Sequence, residues 1–389
     1  MKNNNWKKKE LGEIIEIKKE KYNPIKEQVD YPCIELEHIN QNIGSINGYT
    51  RAKLQSSIKN KFYKGDVLYG KLRPYLRKYH FAKFEGVCSS EIWVLNGKDI
   101  KNEYLFYLVQ DERFNNIANV STGSKMPRAD WTFMERYPFN IPPKEEQDRI
   151  VEILSTWDLA IEKQEQLIEK KKEFKKGLMQ RLLSGEVRFN KDNGQSFPEW
   201  RKVKLGEYLI KHNEKSEFNN QYPVLTSSRK GIFLQSDYYA GNDVASDDTT
   251  GYNVVPRGYF TYRHMSDDLI FKFNINDIVD KGIVSTLYPV FTVKNMDSYF
   301  LRTKLNEGDE FKRFALAQKQ GGSRTYMYFS KLESLQMNIP SLEEQEKISE
   351  VLKLADKEIE LLEKELEALK LQKKGLMQRL LTGEVRVKV

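Results

Sequence analysis

The sequence predicts an α+β protein in which two mixed α/β bodies are separated by two long antiparallel helices forming a coiled-coil spacer, arranged as an internal pseudo-two-fold repeat. Three observations predict it. One block of sequence occurs twice, each copy of that block has the apolar period of a long helix, and the segment before each copy carries short glycine-bounded apolar runs typical of strands. The length of 389 residues suits two or three domains of roughly 100–200 residues each. The expected boundaries are 1–142 for the first body, 143–185 for the first helix, 186–199 for a linker, 200–340 for the second body, 341–383 for the second helix and 384–389 for a tail.

The duplication has a long period. Ile141-Pro142-Pro143-Lys144-Glu145-Glu146-Gln147 returns as Ile339-Pro340-Ser341-Leu342-Glu343-Glu344-Gln345, a shift of 198 residues. The same shift lays Lys175–Arg188 on Lys373–Arg386, and among those fourteen positions only Ser184 and Thr382 differ. Such a period is far beyond the 20–50 residues of solenoid repeats. Weaker echoes reach toward the start of each half. Trp6 and Leu11-Gly12-Glu13 match Trp200 and Leu205-Gly206-Glu207, Tyr31-Pro32 matches Tyr222-Pro223, and Gly86–Ser90 faces Gly282–Thr286. Each half is therefore a variable body followed by a nearly invariant tail.

The tails read as helices. No proline interrupts residues 144–183, and Ile150, Leu154, Trp157, Ile161, Gln164, Ile168, Lys171, Lys175, Leu178 and Leu182 step by four and three, which is a heptad seam. The second copy gives Ile348, Leu352, Ala355, Ile359, Leu362, Leu366, Leu369, Lys373, Leu376 and Leu380. Two such stripes want an apolar partner, and each other is the obvious one. Pro143 suits a first helical turn, Ser341-Leu342-Glu343-Glu344 fits a capping box, and Gly185 and Gly383 suit the left-handed residue that ends a helix. About 40 residues at 1.5 Å each give roughly 60 Å of helix, long enough to act as a spacer. Gly177 and Gly375, repeated inside both helices, are expected to mark a close approach of another backbone. Lys170-Lys171-Lys172 and Lys373-Lys374 are either solvated helix faces or nucleic-acid contacts.

In the first body, strands are expected in Lys64–Gly70 and Ser90–Gly97 and a helix in Asn102–Asn119; in the second, strands near Asn253–Arg263 and Leu287–Val293 and a helix near Asn306–Gln320. Each body also carries two basic clusters laced with aromatic and glycine residues. The first has Lys71, Arg73, Tyr75, Arg77 and Lys78, followed by Ser124, Lys125 and Arg128. The second has Arg257, Tyr262 and Arg263, followed by Ser323, Arg324 and Tyr326. Arginine and lysine bond phosphates or the O6/N7 edge of guanine, and serine hydroxyls and loop N–H groups position phosphates. These fourteen residues are the candidate DNA contacts; the plain alternative for any one of them is an ordinary surface side chain.

Composition narrows the class. The 64 Lys+Arg against 56 Asp+Glu leave a net charge of +8, which suits a polyanionic partner. Hydrophobic residues make up 39%, enough to build cores, so the mean hydropathy of −0.68 reflects long charged faces rather than disorder. Cys33 and Cys88 cannot make a disulfide framework and read as small buried residues of a reduced, cytoplasmic protein. No signal peptide and no membrane span are expected. Catalytic constellations are missing: there is no phosphate-binding glycine motif and no H-E-x-x-H, and His38, His80, His212 and His264 lack metal-ligand spacing. Neither a catalytic residue nor a metal site is assigned.

Two variable bodies, each followed by an Ile-Pro-x-x-Glu-Glu-Gln helix that ends Lys-Gly-Leu-Met-Gln-Arg-Leu-Leu-[Ser/Thr]-Gly, resemble the specificity subunit of a type I restriction-modification system. Gly70-Lys71-Leu72-Arg73-Pro74-Tyr75 in the first body adds to the resemblance, whereas the second body has Tyr262-Arg263-His264-Met265 in its place. The resemblance implies a non-catalytic reader of double-stranded DNA whose two target-recognition domains each bind one half of a split site, with the paired helices fixing the gap. Half-sites one helical turn apart lie about 34–36 Å centre to centre, a distance a rigid spacer can enforce. It further implies two modification (methyltransferase) subunits carrying S-adenosylmethionine, and restriction (endonuclease/translocase) subunits using ATP and Mg; this chain holds no cofactor of its own. The expected docking residues are Glu145, Glu146, Gln147, Glu343, Glu344 and Gln345 on outward helix faces, unless they only cap the helices. The rival class is a coiled-coil structural or clamp protein that binds nucleic acid without specificity. Divergent bodies favour the reader, since phosphate binding alone gives no reason for two different surfaces.

Overall fold

A computed structural model of the chain describes residues 5–120, 126–239, 248–319 and 324–388. The chain forms two compact units, residues 1–166 with 363–389, and residues 167–362. Each unit thus contains one body and a stretch of both long helices, Lys144–Ser184 and Leu342–Thr382, which are 41 residues each.

Unit 1 opens with Lys7–Glu10 paired antiparallel to Pro138–Ile141, so the two ends of the body close on each other. Its larger sheets are four-stranded, in the order Ile15–Ile17, Ile92–Gly97, Val67–Gly70, Tyr79–Phe81, and five-stranded, in the order Lys21–Tyr22, Lys59–Phe62, Gly86–Cys88, Pro32–Ile34, Thr50–Arg51. The core joins body to helices: Leu11, Tyr69, Tyr104 and Phe114 cluster with Ile150 and Leu154 of the first long helix and Leu380 and Leu381 of the second. The predicted helix 102–119 is two helices, Asn102–Leu108 and Glu112–Ala118. Asp111, three residues past the end of the first, caps the second by accepting from the Arg113 N–H at 2.7 Å. Cys33 and Cys88 are free thiols in the interior, and burial pushes the Cys33 thiol up to about 12.

Unit 2 repeats the closure. Arg201–Lys204 pairs antiparallel with Gln336–Ile339, in a register equivalent to that of the first body. The echoes in sequence now have causes. A Cβ at Gly12 would lie 3.2 Å from the Glu135 carbonyl oxygen and one at Gly206 2.9 Å from that of Glu333, so both copies need glycine where the chain passes this backbone. Gly86–Cys88 runs parallel to Pro32–Ile34, and Ile283 makes a parallel bridge to Val224. The body's four-stranded sheet has the order Leu209–His212, Val290–Val293, Phe260–Thr261, Asn274–Ile275. The helix expected near 306–320 is Asp309–Ala317, and a helix absent from the sequence reading, Ser298–Glu307, precedes it. Asp297 caps Ser298–Glu307 by accepting from the Phe300 N–H, and Gly308 separates the two helices.

Within each unit the two long helices run antiparallel. In unit 1 Lys373 pairs with Asp158, and Lys370 with Glu165 at 3.0 Å; in unit 2 Lys175 pairs with Asp356, and Lys171 with Glu358 at 2.6 Å. The four-three stripe is the covered side of both helices. Ile150, Leu154, Ile168, Leu182, Ile348, Leu352, Ile359, Leu366 and Leu380 are buried, and Trp157, Ile161, Leu178 and Leu376 half-buried. Two of the lysines that interrupt it, Lys175 and Lys373, meet aspartates that are themselves repeat equivalents. Each aspartate also accepts from a tyrosine of its body, Asp158 from Tyr107 at 2.7 Å and Asp356 from Tyr299 at 2.5 Å.

Two helix expectations are corrected. Ser341 forms no capping box, since its hydroxyl makes no hydrogen bond among the described residues and the Glu344 carboxylate goes to Arg188. Gly177 and Gly375 mark no close approach: a Cβ at either would have nothing within 4 Å. With open space around them, Gly177→Ala and Gly375→Ala are each expected to stabilise the chain by about 1 kcal/mol, the ordinary helical difference between the two residues. Urea unfolding of the single and double variants checks this. Gly185 and Gly383, by contrast, both sit at φ 75° and end their helices as expected.

Candidate nucleic-acid interface

In unit 1 the two predicted clusters meet. After strand Val67–Gly70 the chain turns out of the sheet, and Leu72 bridges Arg128. The clip is made by backbone: Arg73 N–H donates to the Pro127 carbonyl at 2.8 Å and Ala129 N–H to that of Lys71 at 2.8 Å. Arg73 and Arg77, at the two ends of the turn Pro74–Leu76, both adopt left-handed backbone (φ 51° and 47°), which costs a non-glycine residue roughly 1–2 kcal/mol. Such strain persists only where surroundings fix it, and functional sites are where it collects. The turn carries Tyr75 outward, 54% exposed.

The cationic side chains of this surface divide into two groups. Arg77 is held by Glu112, Lys78 donates to the Leu36 carbonyl at 2.6 Å, and Arg128 makes a two-point pair with Glu91 at 3.0 and 3.2 Å. Lys71 and Arg73 have no ion-pair partner among the described residues. These two, with Tyr75, are the groups left available to a ligand. Ser124 and Lys125 lie outside the described residues.

Unit 2 makes the same clip from different side chains. Met265–Ser266 pairs with Thr325–Tyr326, and Met327 N–H donates to the His264 carbonyl at 2.7 Å. Arg263 is exposed with no ion-pair partner among the described residues, Arg324 pairs with Asp267 at 3.0 Å, and Tyr326 is 37% exposed. Arg257 lies in the turn after Asn253–Pro256 and is tied to Asp280 at 3.0 Å. Tyr262 must be withdrawn as a DNA contact: it is fully buried, and its hydroxyl donates to the Met327 carbonyl at 2.9 Å. Ser323 lies outside the described residues. Tyr328, 50% exposed beside Tyr326, is absent from the sequence-predicted contacts. The alternation Thr325-Tyr326-Met327-Tyr328-Phe329, inward at odd positions and outward at even ones, is the signal that finds it.

The expected docking residues also need correction. Glu146, Gln147, Glu344 and Gln345 are buried, each 2% exposed or less; only Glu145 and Glu343 face outward. The glutamines close the helix entries: Gln147 donates to the Pro142 carbonyl and Gln345 to that of Pro340, both at 3.0 Å, while their side-chain oxygens accept from the N–H groups of Lys101 and Asp297. The glutamates form latches. In unit 1, Glu146 accepts from Trp6 Nε1 at 2.9 Å and from Arg386 at 2.6 and 2.7 Å. In unit 2, Glu344 accepts from Arg188 twice at 3.1 Å. Each latch joins a glutamate of one repeat copy to the arginine of the other. This reciprocity explains why both motifs are kept in both copies.

A third charged group, Arg77–Glu112–Lys374, ties the basic turn of unit 1 to its second long helix, with Lys374 at 3.2 Å from Glu112. Hydrogen bonds from Arg77, then from Lys374, hold the Glu112 carboxyl down at about 2. A carboxyl depressed by folding stabilises the fold above its ordinary value, near 4.5, and loses that stabilisation as pH falls toward 2. Melting temperature is therefore expected to drop over this interval. Glu112→Gln should melt lower than the native chain at neutral pH and show a shallower acid decline.

A family model described as the type I restriction modification DNA specificity domain matches residues 3–170 and again residues 199–371. The chain belongs to this family. One match falls on each repeat copy, so this family member carries two DNA specificity domains. The Escherichia coli type I restriction enzyme EcoDI specificity subunit is 32% identical over 170 residues, which are 41% of this chain and 37% of that protein. The putative type I restriction enzyme MjaX specificity subunit of Methanocaldococcus jannaschii is 27% identical over 429 residues, covering 98% of this chain and 94% of that one. A solved chain from work on complex assembly and conformational transition of the type I R-M system superposes with a TM-score of 0.59 at 16% identity, covering 98% of both chains; that likeness concerns the fold. Among the described residues no helix is long and apolar enough to cross a membrane, and no group of three His, Cys, Asp or Glu residues could hold a metal ion.

Proposed function

We propose that this chain is the non-catalytic reading subunit of a type I restriction-modification complex, with each specificity domain binding one half of a bipartite DNA site. The observation that carries this is the repeated clip: in both bodies one basic loop is pinned by backbone hydrogen bonds to a second, so that the same two-loop scaffold presents Lys71, Arg73 and Tyr75 in one unit and Arg263 and Tyr326 in the other. Equivalent scaffolds with different side chains suit two different half-sites. A non-specific clamp has no use for that difference.

The long helices then set the unread gap and dock two modification subunits, which bring S-adenosylmethionine; restriction subunits bring ATP and Mg. The complex works in the cytoplasm. Support for docking on the helices comes from apolar side chains left outward on otherwise charged surfaces: Leu159 and Phe174 on the first and Leu354, Leu361 and Leu371 on the second, each more than half exposed. Binding selection from random duplex DNA tests the function. A split motif is expected with the native chain and its modification partner; a featureless pool would favour the clamp.

A further inference from the structure

We propose that His264, Tyr326 and Tyr328 form a base-stacking site in unit 2, which takes an unstacked nucleobase of the DNA half-site bound there; this rests on the function proposed above. The three rings stand together on one face of the clip. His264 and Tyr328 lie 5.2 Å apart between centroids with 26° between planes, Tyr326 and Tyr328 5.7 Å apart at 11°, and His264 and Tyr326 6.0 Å apart at 33°. They therefore share an orientation, as the bases of a stack do.

The array is rigid from behind and open in front. Thr325, Met327 and Phe329 point into the core, Tyr262 holds the Met327 carbonyl, and the His264 ring donates from Nδ1 to the Leu287 carbonyl. Tyr326 and Tyr328 are 37% and 50% exposed, and neither hydroxyl has a hydrogen-bond partner among the described residues. Arg263, exposed and without an ion-pair partner among the described residues, stands beside the rings in sequence and supplies positive charge for the adjoining phosphates, whereas Arg324 is held by Asp267. Parallel aromatic faces next to cations are what a nucleic acid meets where bases leave their own stack, whether on a stacking platform or against a wedge at a base step.

The repeat provides an internal comparison. Alignment of the two clips sets His264 against Lys71, Tyr326 against Arg128 and Tyr328 against Asp130, so unit 1 has charge where unit 2 has rings. A lone exposed tyrosine is unremarkable, but three co-oriented rings replacing three charged side chains at the same place on the scaffold give unit 2 a different way of reading DNA.

The test uses the full chain with its modification partner and duplexes in which single nucleotides of the second half-site are made abasic. Tyr328→Ala and Tyr326→Ala are each expected to weaken binding roughly 5- to 150-fold, the range for losing one base–aromatic stack, while Tyr328→Phe binds nearly as the native chain does. At one or two positions the abasic effect and the Tyr328→Ala effect should fail to add, because both remove the same stack. First half-site selectivity should stay intact, which also reports that the variant is folded. Additive effects at every position, or native binding by both alanine variants, would overturn the stacking site while leaving the bipartite function standing. Absence of any split site for the native chain would instead remove the function on which it rests.

Discussion

Replacing Glu344 by alanine is expected to destabilise unit 2 by about 3–5 kcal/mol, the cost of breaking a buried ion pair by removing one partner. Glu344 is fully buried, whereas the Arg188 side chain keeps 23% exposure, so the effect should fall toward the lower end of that range. Glu146→Ala should do the same to unit 1, where Trp6 Nε1 also loses its acceptor. Arg188→Ala and Arg386→Ala, combined with these in double-mutant cycles, should show strong coupling within each latch and near-additivity between Glu344 and Arg386. Urea unfolding of the full chain is the measurement. If Glu344→Ala unfolded as the native chain does but no longer bound the modification subunit, the glutamate would be a docking residue and the latch would be incidental.

The second large effect falls on DNA. Lys71→Ala and Arg73→Ala together are expected to weaken or relax the first half-site and leave the second unchanged. A side chain that reads a base edge should cost about 1–3 kcal/mol at one position when truncated, and one that binds a phosphate should lower the salt slope by about one. Arg77 and Arg128 should matter less to binding than their charge suggests, because Glu112 and Glu91 already hold them. Motif mapping with the double variant reads both half-sites in one experiment. A changed second half-site would mean that the loops have been assigned to the wrong half.

The long elements are the legible part of the sequence. A seam of four-three steps and a fourteen-residue repeat with one difference specify two helices almost to their ends, because helix periodicity is local and here extends over 41 residues in each copy. What the sequence hides depends on partners distant along the chain. Glu146 and Glu344 stand in the first turn, where acidic residues are common for reasons of helix polarity, and nothing local reveals an arginine 240 or 156 residues away. Tyr262 reads as a DNA contact beside Arg263, yet a strand alternates its faces, and which face is inward is set by the pairing of Met265 with Tyr326. The break at Asp111 is legible as chemistry, a capping aspartate, but lies inside a longer apolar pattern that suggests a single helix, and the helix Ser298–Glu307 is absent from the sequence reading. The two basic clusters of each body are visible as composition; the backbone clip that joins them crosses more than fifty residues and has no signature in either segment.

The central claim, that this chain gives a modification complex its bipartite DNA sequence, is tested most directly by mapping adenine methylation across the genome of cells that make the chain with its modification partner, against cells lacking only the chain. A new split motif methylated on both strands is the expected result. No new motif, with both proteins present and associated, would contradict it.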